Sequence, residues 1–383
     1  MNFDLSEEQK EILEAVKEIF QEEFASRATE IDNKGEFPWE NVKKLAQYDL
    51  MGIPIPEEYG GLGLDFLTWA LVGEEMSKAC TTTGAIFGAN MLCIYPIFIF
   101  GSEEQKKKYL IPLSKGEVIG AFGLTEPNAG SDAANIQTTA VKNRDSYILN
   151  GTKIFITNAG EAQVYVILAK TQKDRGARGM SAFIVEKGTP GFTFGKNEKK
   201  MAFSALANRE LIFRDCRIPA ENILSKEGRG FRVAMQTLDL GRIGMGIGAI
   251  GLAQAAFKEA VKYSKERVQF GHPISNFQAI QFMLADMATE IEAARLLILK
   301  AAYLKDQDRP FSHIGAMAKL YASEVAMKVV NKAVQIHGGY GYTKDYAVER
   351  YFREAKLFEI VEGTSEIQRG VIANAILKQK VTN

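Results

Sequence analysis

The spacing of apolar residues changes twice along this chain, and those two changes limit its fold more than any other feature. From residue 1 to about 119 apolar side chains recur at helical spacing, with Leu5, Ile12, Leu13, Val16 and Ile19 set among Glu, Lys and Gln. From about 120 to 228 the texture turns to short β-rich runs bounded by turn residues: Tyr147-Ile148-Leu149, Val164 to Ala169, Ala182 to Val185 and Leu211 to Phe213. From 229 to 383 long helices return, and Ile280, Leu284, Met287, Ile291, Ala294 and Ile298 make one continuous apolar stripe. The pattern predicts an α+β fold: a helical N-terminal domain (1–119), a middle antiparallel, barrel-like β domain (120–228) and a C-terminal helical bundle (229–383). At 383 residues the chain exceeds one ordinary core, which fits such a division.

Within these parts, Asn150-Gly151 is expected to turn a hairpin between Tyr147-Ile148-Leu149 and Thr152 to Ile156, because both residues tolerate positive φ. The run Met91 to Phe100 is apolar on all sides and reads more readily as a buried core helix than as a pocket wall, and it is too short to span a bilayer. Lys plus Arg and Asp plus Glu both equal 47, so there is no basic excess to favour nucleic acid. Cys80, Cys93 and Cys216 are odd in number and far apart, which argues against a disulfide framework and for a reducing compartment. His272, His313 and His337 show no metal-site spacing. Chemistry in such a chain falls to a carboxylate or an organic cofactor. The acidic start, with a Ser6/Gln9 capping box and no leader-like run, predicts a cytoplasmic protein that does not insert into membranes.

Gly246-Ile247-Gly248-Ala249-Ile250-Gly251 spells G-x-G-x-x-G, but it lies in a run of small residues leading into helix rather than after a strand. Close helix packing explains it better than dinucleotide binding. Near the C-terminus, Val361-Glu362-Gly363-Thr364-Ser365 sets a carboxylate before a glycine and two hydroxyls, and Ser365 with Gln368 has capping-box spacing. Glu362 then decorates a helix entry or, with Gly363 opening the backbone beside it, faces a ligand; spacing alone leaves both open. Ala121 to Asp132 is a Gly/Pro-broken loop with hydroxyls and free amides, suited to a heteroaromatic edge or a phosphate, or else an ordinary β-domain loop. Phe155-Ile156-Thr157 reads as sheet core, and Asp239 with Arg242 as a surface ion pair. Glu266 to Gly271 with Gln278, and Gln335 to Gly339, read as helix ends.

In this order, from the first residues to the last helix, the segments resemble the acyl-CoA dehydrogenase family. Glu362 to Gln368 matches its E-G-T-[SN]-x-[IV]-Q signature, and Phe122 to Asp132 its F-x-x-T-E-P-x-A-G-S-D segment. The resemblance implies a C-terminal four-helix bundle, FAD as cofactor, a homotetramer built as a dimer of dimers, and an electron-transfer flavoprotein as electron acceptor. It implies α,β-dehydrogenation of an acyl-CoA to the trans-2-enoyl-CoA, Glu362 taking the α proton and flavin N5 the β hydride. By the same resemblance Ser131, Asp239, Arg242 and Gly363 meet the acyl-CoA, with Arg242 orienting Glu362. Phe122, Leu124, Thr125, Gly130, Ser131, Phe155, Ile156 and Thr157 meet the flavin, joined by Thr364 and Glu366. Arg267, Gln269, Phe270, Gln278, Gln335, Ile336, Gly338 and Gly339 hold the ADP half of an FAD carried by a neighbouring subunit, where a forked guanidinium suits pyrophosphate. The alternatives are an enoyl-CoA reductase, an acyl-CoA oxidase, or a non-catalytic flavin- or CoA-binding subunit. Two departures from the family pattern stand out: Ala202, Ser204 and Leu206 replace its usual Gly, Arg and hydroxyl, and Val361 replaces a tyrosine, which predicts a roomier pocket for a branched or cyclic acyl group.

Overall fold

A computed structural model describes residues 4–378, so Met1-Asn2-Phe3 of the acidic start and the last five residues lie outside it. The helical first part comprises α1 (Glu7–Glu23), α2 (Ala28–Lys34), α3 (Trp39–Gln47), α4 (Phe66–Ala79), α5 (Thr81–Phe100) and the short α6 (Glu103–Gln105) and α7 (Ile111–Ser114). The expected Ser6/Gln9 box starts α1, with both reciprocal bonds made. The strands β1 (Gly120–Gly123), β2 (Thr139–Asn143), β3 (Ser146–Thr157), β4 (Val164–Lys170), β5 (Met180–Glu186), β6 (Phe192–Asn197), β7 (Asn208–Pro219) and β8 (Ile223–Leu224) form one sheet in the order β6-β7-β3-β2-β4-β5-β8. Its pairings are antiparallel except where β1, and one residue pair of β2, run parallel to β4. The last part holds α8 (Gly230–Glu266), the ribbon β9 (Val268–Gln269) and β10 (His272–Pro273), then α9 (Gln278–Asp306), α10 (Ser312–His337), α11 (Val348–Phe358) and α12 (Ser365–Lys378).

The Asn150-Gly151 hairpin is not there. Both residues lie inside β3, which runs unbroken past them along β7 with a bulge between Leu149 and Gly151. Asn150 reaches across instead: its Oδ1 accepts from the Asp215 backbone N–H at 2.8 Å and its amide donates to the Asp215 carboxylate at 3.1 Å. A Cβ on Gly151 would lie 2.5 Å from Thr138 Oγ1, so this glycine serves a close approach and a bulge rather than a turn. The true turn joins β2 to β3 through Arg144 and Asp145, with Arg144 at φ 54°.

Helix α8 is the axis of the molecule, packed against α4, α5, α9, α10 and α11. The G-x-G-x-x-G run sits in its middle, and added Cβ atoms would meet Ile298 at Gly246 (2.9 Å), Phe358 at Gly248 (2.7 Å) and Glu74 O at Gly251 (2.6 Å). Those glycines let three neighbours approach closely, as read from the sequence. Helices α5 and α8 are long and apolar enough to cross a membrane by length and composition, α5 exceeding the ten-residue run picked out in the sequence. Yet 61% and 78% of their apolar windows lie buried inside the protein, so both are core helices.

Candidate active site

Helices α11 and α12 meet at a turn whose central residues have positive φ, 53° at Glu362 and 99° at Gly363. A non-glycine residue there costs on the order of 1–3 kcal/mol and persists only where its surroundings hold it. Two buried side chains do so: Gln368 Nε2 donates to the carbonyls of Glu362 (3.2 Å) and Gly363 (2.9 Å), and Lys319 Nζ, from α10, donates to that of Gly363 (2.8 Å). The expected Ser365/Gln368 capping box is not formed. Thr364 is the cap, its Oγ1 accepting from the Ile367 N–H at 3.4 Å, while Ser365 lies inside the helix with its hydroxyl buried and unpartnered. Gln368 is diverted to the two carbonyls that the left-handed turn leaves free.

The turn delivers the Glu362 carboxylate into an apolar cleft lined by Trp69, Gly88, Met91, Leu92, Leu240, Gly241, Gly244 and Met245. Although Glu362 as a residue is partly exposed, its Oε2 is sealed from solvent and has no hydrogen-bond partner. Gly241 on α8 makes the room, since a Cβ there would fall 1.8 Å from Oε2. Burial drives the carboxyl up to about 7, opposed by the charges of Lys319 and, more weakly, Arg242. Lys319 is itself pushed down to about 8 by burial, with Glu362 as its chief opposing charge. Sequence reading missed both Lys319 and Gly241. The α10 lysine falls among ordinary helix residues, and its meaning comes only from the fold.

Asp239 and Arg242 are no surface pair. Arg242 Nη1 donates to Asp239 Oδ1 at 2.5 Å with both side chains largely enclosed, and Ser312 donates to the same oxygen at 2.7 Å. Burial raises the Asp239 carboxyl, with Arg242 opposing. Among the described residues Arg242 makes no hydrogen bond to Glu362, so the contact expected to orient that side chain is not found, and what reaches the carboxyl is the Arg242 charge. Gly363 adjoins Glu362, as expected. Val361 is half-buried and does not line the cleft, so the enlargement expected from it is not found there.

A second group gathers around β1 and β3. Phe122 lies in β1 and Leu124 and Thr125 follow it, and the Thr125 carbonyl accepts from Ile154 N at 2.9 Å. The loop is anchored from beneath by a fully buried pair: Lys153 Nζ donates to Glu126 Oε1 (2.7 Å) and to the Leu124 carbonyl (3.1 Å). Glu126 in turn accepts from the backbone of Gln137 (2.5 Å) and Thr138 (3.0 Å). Gly130 and Ser131 are exposed, with open space where a Cβ on Gly130 would go. Phe155 is 62% exposed on a left-handed backbone (φ 57°) at a second β3 bulge. A large ring held out by a strained backbone is a platform for a flat ligand. Ile156, by contrast, is buried, so it offers a ligand only its main chain; Thr157 is half-buried.

The third group lies elsewhere. Arg267, Gln269, Phe270, Gln278, Gln335, Gly338 and Gly339 cluster at the far ends of α8 and α10 and the start of α9, all exposed, with Arg267 over the Tyr340 ring at 5.7 Å. Ile336 is buried beside them, contributing backbone at most. Arg267 stands 26 residues along α8 from Gly241, about 39 Å at 1.5 Å per residue. One chain does not bring this group to Glu362. Thr364 caps α12 at the turn itself, and Glu366 is exposed in the helix's first turn, its carboxyl held low by its own N–H and by Thr364.

The family models for the acyl-CoA dehydrogenase N-terminal, middle and C-terminal domains match residues 6–117, 121–216 and 228–377. The chain belongs to the acyl-CoA dehydrogenase family. It is an FAD-dependent oxidoreductase that dehydrogenates acyl-CoA, and the exposed Phe155 platform, the open Gly130-Ser131 loop and the Arg267 cluster fit a flavin dinucleotide. It is 52% identical to the short-chain-specific acyl-CoA dehydrogenase of Clostridium acetobutylicum, covering 99% of this chain and 100% of that one. It is 50% identical to the acryloyl-CoA reductase (NADH) of Anaerotignum propionicum, covering 99% and 97%. Butyryl-CoA dehydrogenase from Megasphaera elsdenii superposes with a TM-score of 0.97 at 48% identity, covering 99% and 100%. A chain solved in work on the electron transferring flavoprotein of Acidaminococcus fermentans and its electron bifurcation superposes at 0.98 and 53% identity, covering 99% and 100%.

Proposed function

We propose that this acyl-CoA dehydrogenase oxidises short linear acyl-CoA thioesters to trans-2-enoyl-CoA, with Glu362 as the base that removes the α proton. The carrying observation is the Glu362 Oε2, unpartnered and enclosed in an apolar cleft, with the carboxyl lifted to about 7. A base needs a free oxygen at the reacting carbon and a proton affinity matched to the working pH, and this carboxylate has both. The α proton of a thioester is weakly acidic, so the enolate oxygen needs donors as it forms, a place the Glu362 backbone N–H is suited to fill. Bound FAD supplies the acceptor for the β hydride.

The narrowness of the cleft supports a short acyl chain. Its free volume is about 10 Å³, the room of roughly one water, so an acyl chain enters only as Met91 and Met245 turn aside. Such a cleft favours a chain of few carbons, in line with the short-chain and butyryl-CoA relatives. Ser131, Asp239, Arg242 and Gly363 are assigned to the thioester and CoA arm. The Phe122–Ser131 and Phe155–Thr157 segments, with Thr364 and Glu366, are assigned to the flavin. The remote Arg267 cluster serves the ADP half of a partner's FAD in a homotetramer of soluble, cytoplasmic chains, because within one chain it stands apart from Glu362. An electron-transfer flavoprotein is the proposed acceptor, on the likeness to the Acidaminococcus chain.

The test is anaerobic bleaching of the flavin absorbance by acyl-CoAs of graded length and branching, in wild type and Glu362→Gln. Bleaching by butyryl-CoA in wild type and its loss in Glu362→Gln are expected, with FAD retained in both. A Glu362→Gln protein that bleaches at near-normal rate overturns the base assignment. The acryloyl-CoA reductase relative favours one second reading, the reverse reaction. Reoxidation of the chemically reduced flavin by a short enoyl-CoA, with no bleaching by any acyl-CoA, would establish it.

A further inference from the structure

Among the described residues Lys319 and Lys153 are the lysines with no exposed surface. Lys153 has a carboxylate partner, Glu126, at 2.7 Å. Lys319 forms no direct ion pair among the described residues; its Nζ has the Gly363 carbonyl at 2.8 Å. A buried ammonium held by one neutral acceptor is out of place in a core unless a charge nearby needs it. The ionisable groups facing it are Glu362 from the turn, Glu359 just past α11, Glu366 from α12 and Arg242 from α8, the last already tied to Asp239. Of the three carboxylates, Glu359 accepts from Lys356 and Glu366 is exposed, while the nearby Asp239 has Arg242 and Ser312. That leaves the enclosed Glu362 oxygen as the group with an unmet need for positive charge.

We propose that Lys319 is a positioning residue for Glu362: it holds the Gly363 carbonyl so that the turn keeps its left-handed backbone, and it sets its charge beside the enclosed carboxylate. This rests on the reading of Glu362 as the base. Gln368 grips the same turn with a neutral amide, so the geometry alone is doubly held, and what Lys319 adds is the charge. A cation bonded to the carbonyl of the residue next to the carboxylate favours its ionised form, and its removal raises the pH at which the base becomes active.

The test is the pH dependence of kcat/KM in Lys319→Gln, which keeps a donor and loses the charge, with FAD content and melting temperature as checks on folding. The expected result is an acid limb moved up by about one pH unit. That is roughly a tenfold loss of rate below the wild-type midpoint, recovered at high pH. A profile that overlays wild type, or that falls by one factor at every pH, overturns the proposal. If Lys319→Gln does not retain FAD, Lys319→Arg must fold and keep the wild-type midpoint; a shifted midpoint, or failure of both variants to fold, overturns it as well. Glu362→Gln, run alongside, separates the two readings. Near-normal turnover there refutes the base itself, whereas a largely inactive Glu362→Gln beside an unshifted Lys319→Gln refutes only the role given to Lys319.

Discussion

Substituting Gly241 by alanine tests whether the placement of one carboxylate limits the rate. The new Cβ would sit 1.8 Å from Glu362 Oε2 and 2.9 Å from Leu92 Cδ2. Ordinary contact begins near 3.4 Å, so the carboxylate must retreat by about 1.6 Å. It can, because it is the end of a flexible side chain, whereas α8 is locked among α4, α5, α9 and α10. A misplacement of about 1 Å at a reacting group costs roughly a hundredfold, or about 2.7 kcal/mol of transition-state stabilisation. Alanine is also the better helix former by about 1 kcal/mol, so α8 is not weakened by the exchange itself. Gly241→Ala should therefore keep its FAD and lie within a few degrees of the wild-type melting temperature, while anaerobic flavin bleaching by a short acyl-CoA slows by at least about a hundredfold. A rate within about threefold of wild type would show that the cleft holds the base elsewhere in the working enzyme. Lost FAD would mean that the glycine serves the fold and not the carboxylate.

Three further outcomes are expected. The rate should rise with pH through about 7, because burial lifts the Glu362 carboxyl above its ordinary value and only the ionised form accepts the proton; a midpoint near 4.5 in single-turnover bleaching would contradict that. Lys153→Met strands the buried Glu126 charge beneath the Leu124–Glu126 loop, a loss of about 3–5 kcal/mol readable by denaturant melts together with weakened FAD binding. An unchanged flavin affinity there would detach the pair from the cofactor. Arg267→Ala should weaken FAD binding, and mixing it with Glu362→Gln subunits should restore some active sites only if the dinucleotide bridges two chains; anaerobic bleaching of reconstituted hybrids by a short acyl-CoA decides.

Much of the fold was legible because it rests on periodicity. The stripe Ile280 to Ile298 and the β-rich runs Val164 to Ala169 and Ala182 to Val185 mark surfaces that bury one face, and the structure buries Met287, Ile291, Ala294, Ile298 and those strands. Asn150-Gly151 misled because its turn chemistry serves a bulge equally well. What decides between them is Asp215, a residue 65 positions away that takes both hydrogen bonds of the Asn150 side chain. Ser365 misled for a similar reason: Gln368 fits a capping box until the carbonyls of Glu362 and Gly363 claim it. Motif resemblance reached Glu362 and the flavin loop, but no local pattern marks Lys319 or Gly241, which gain meaning only when α8 and α10 close on the α11–α12 turn.

Three of the residues that the motifs pick out share a physical trait that periodicity does not report. Phe155, Phe270 and Glu362 are bulky or charged, and each holds a left-handed backbone at 53–57° that its side chain disfavours. Each lies in one of the three groups assigned to flavin, ADP and substrate. Side chains on such a backbone point where neither helix nor strand would send them: Phe155 and Phe270 outward at 62% and 90% exposure, Glu362 inward to an apolar cleft. At the base the distortion is sustained from beneath by Lys319 and Gln368, while Lys153 and Glu126 anchor the Leu124–Glu126 loop that bonds β3 at Ile154. The two supports differ in one respect. Lys153 is neutralised by its own carboxylate and can only hold, whereas the unpaired charge of Lys319 can also tune. A charge-removing substitution should therefore leave the pH midpoint unmoved at Lys153 and shift it at Lys319, and equal behaviour of the two variants would mean that both lysines are struts.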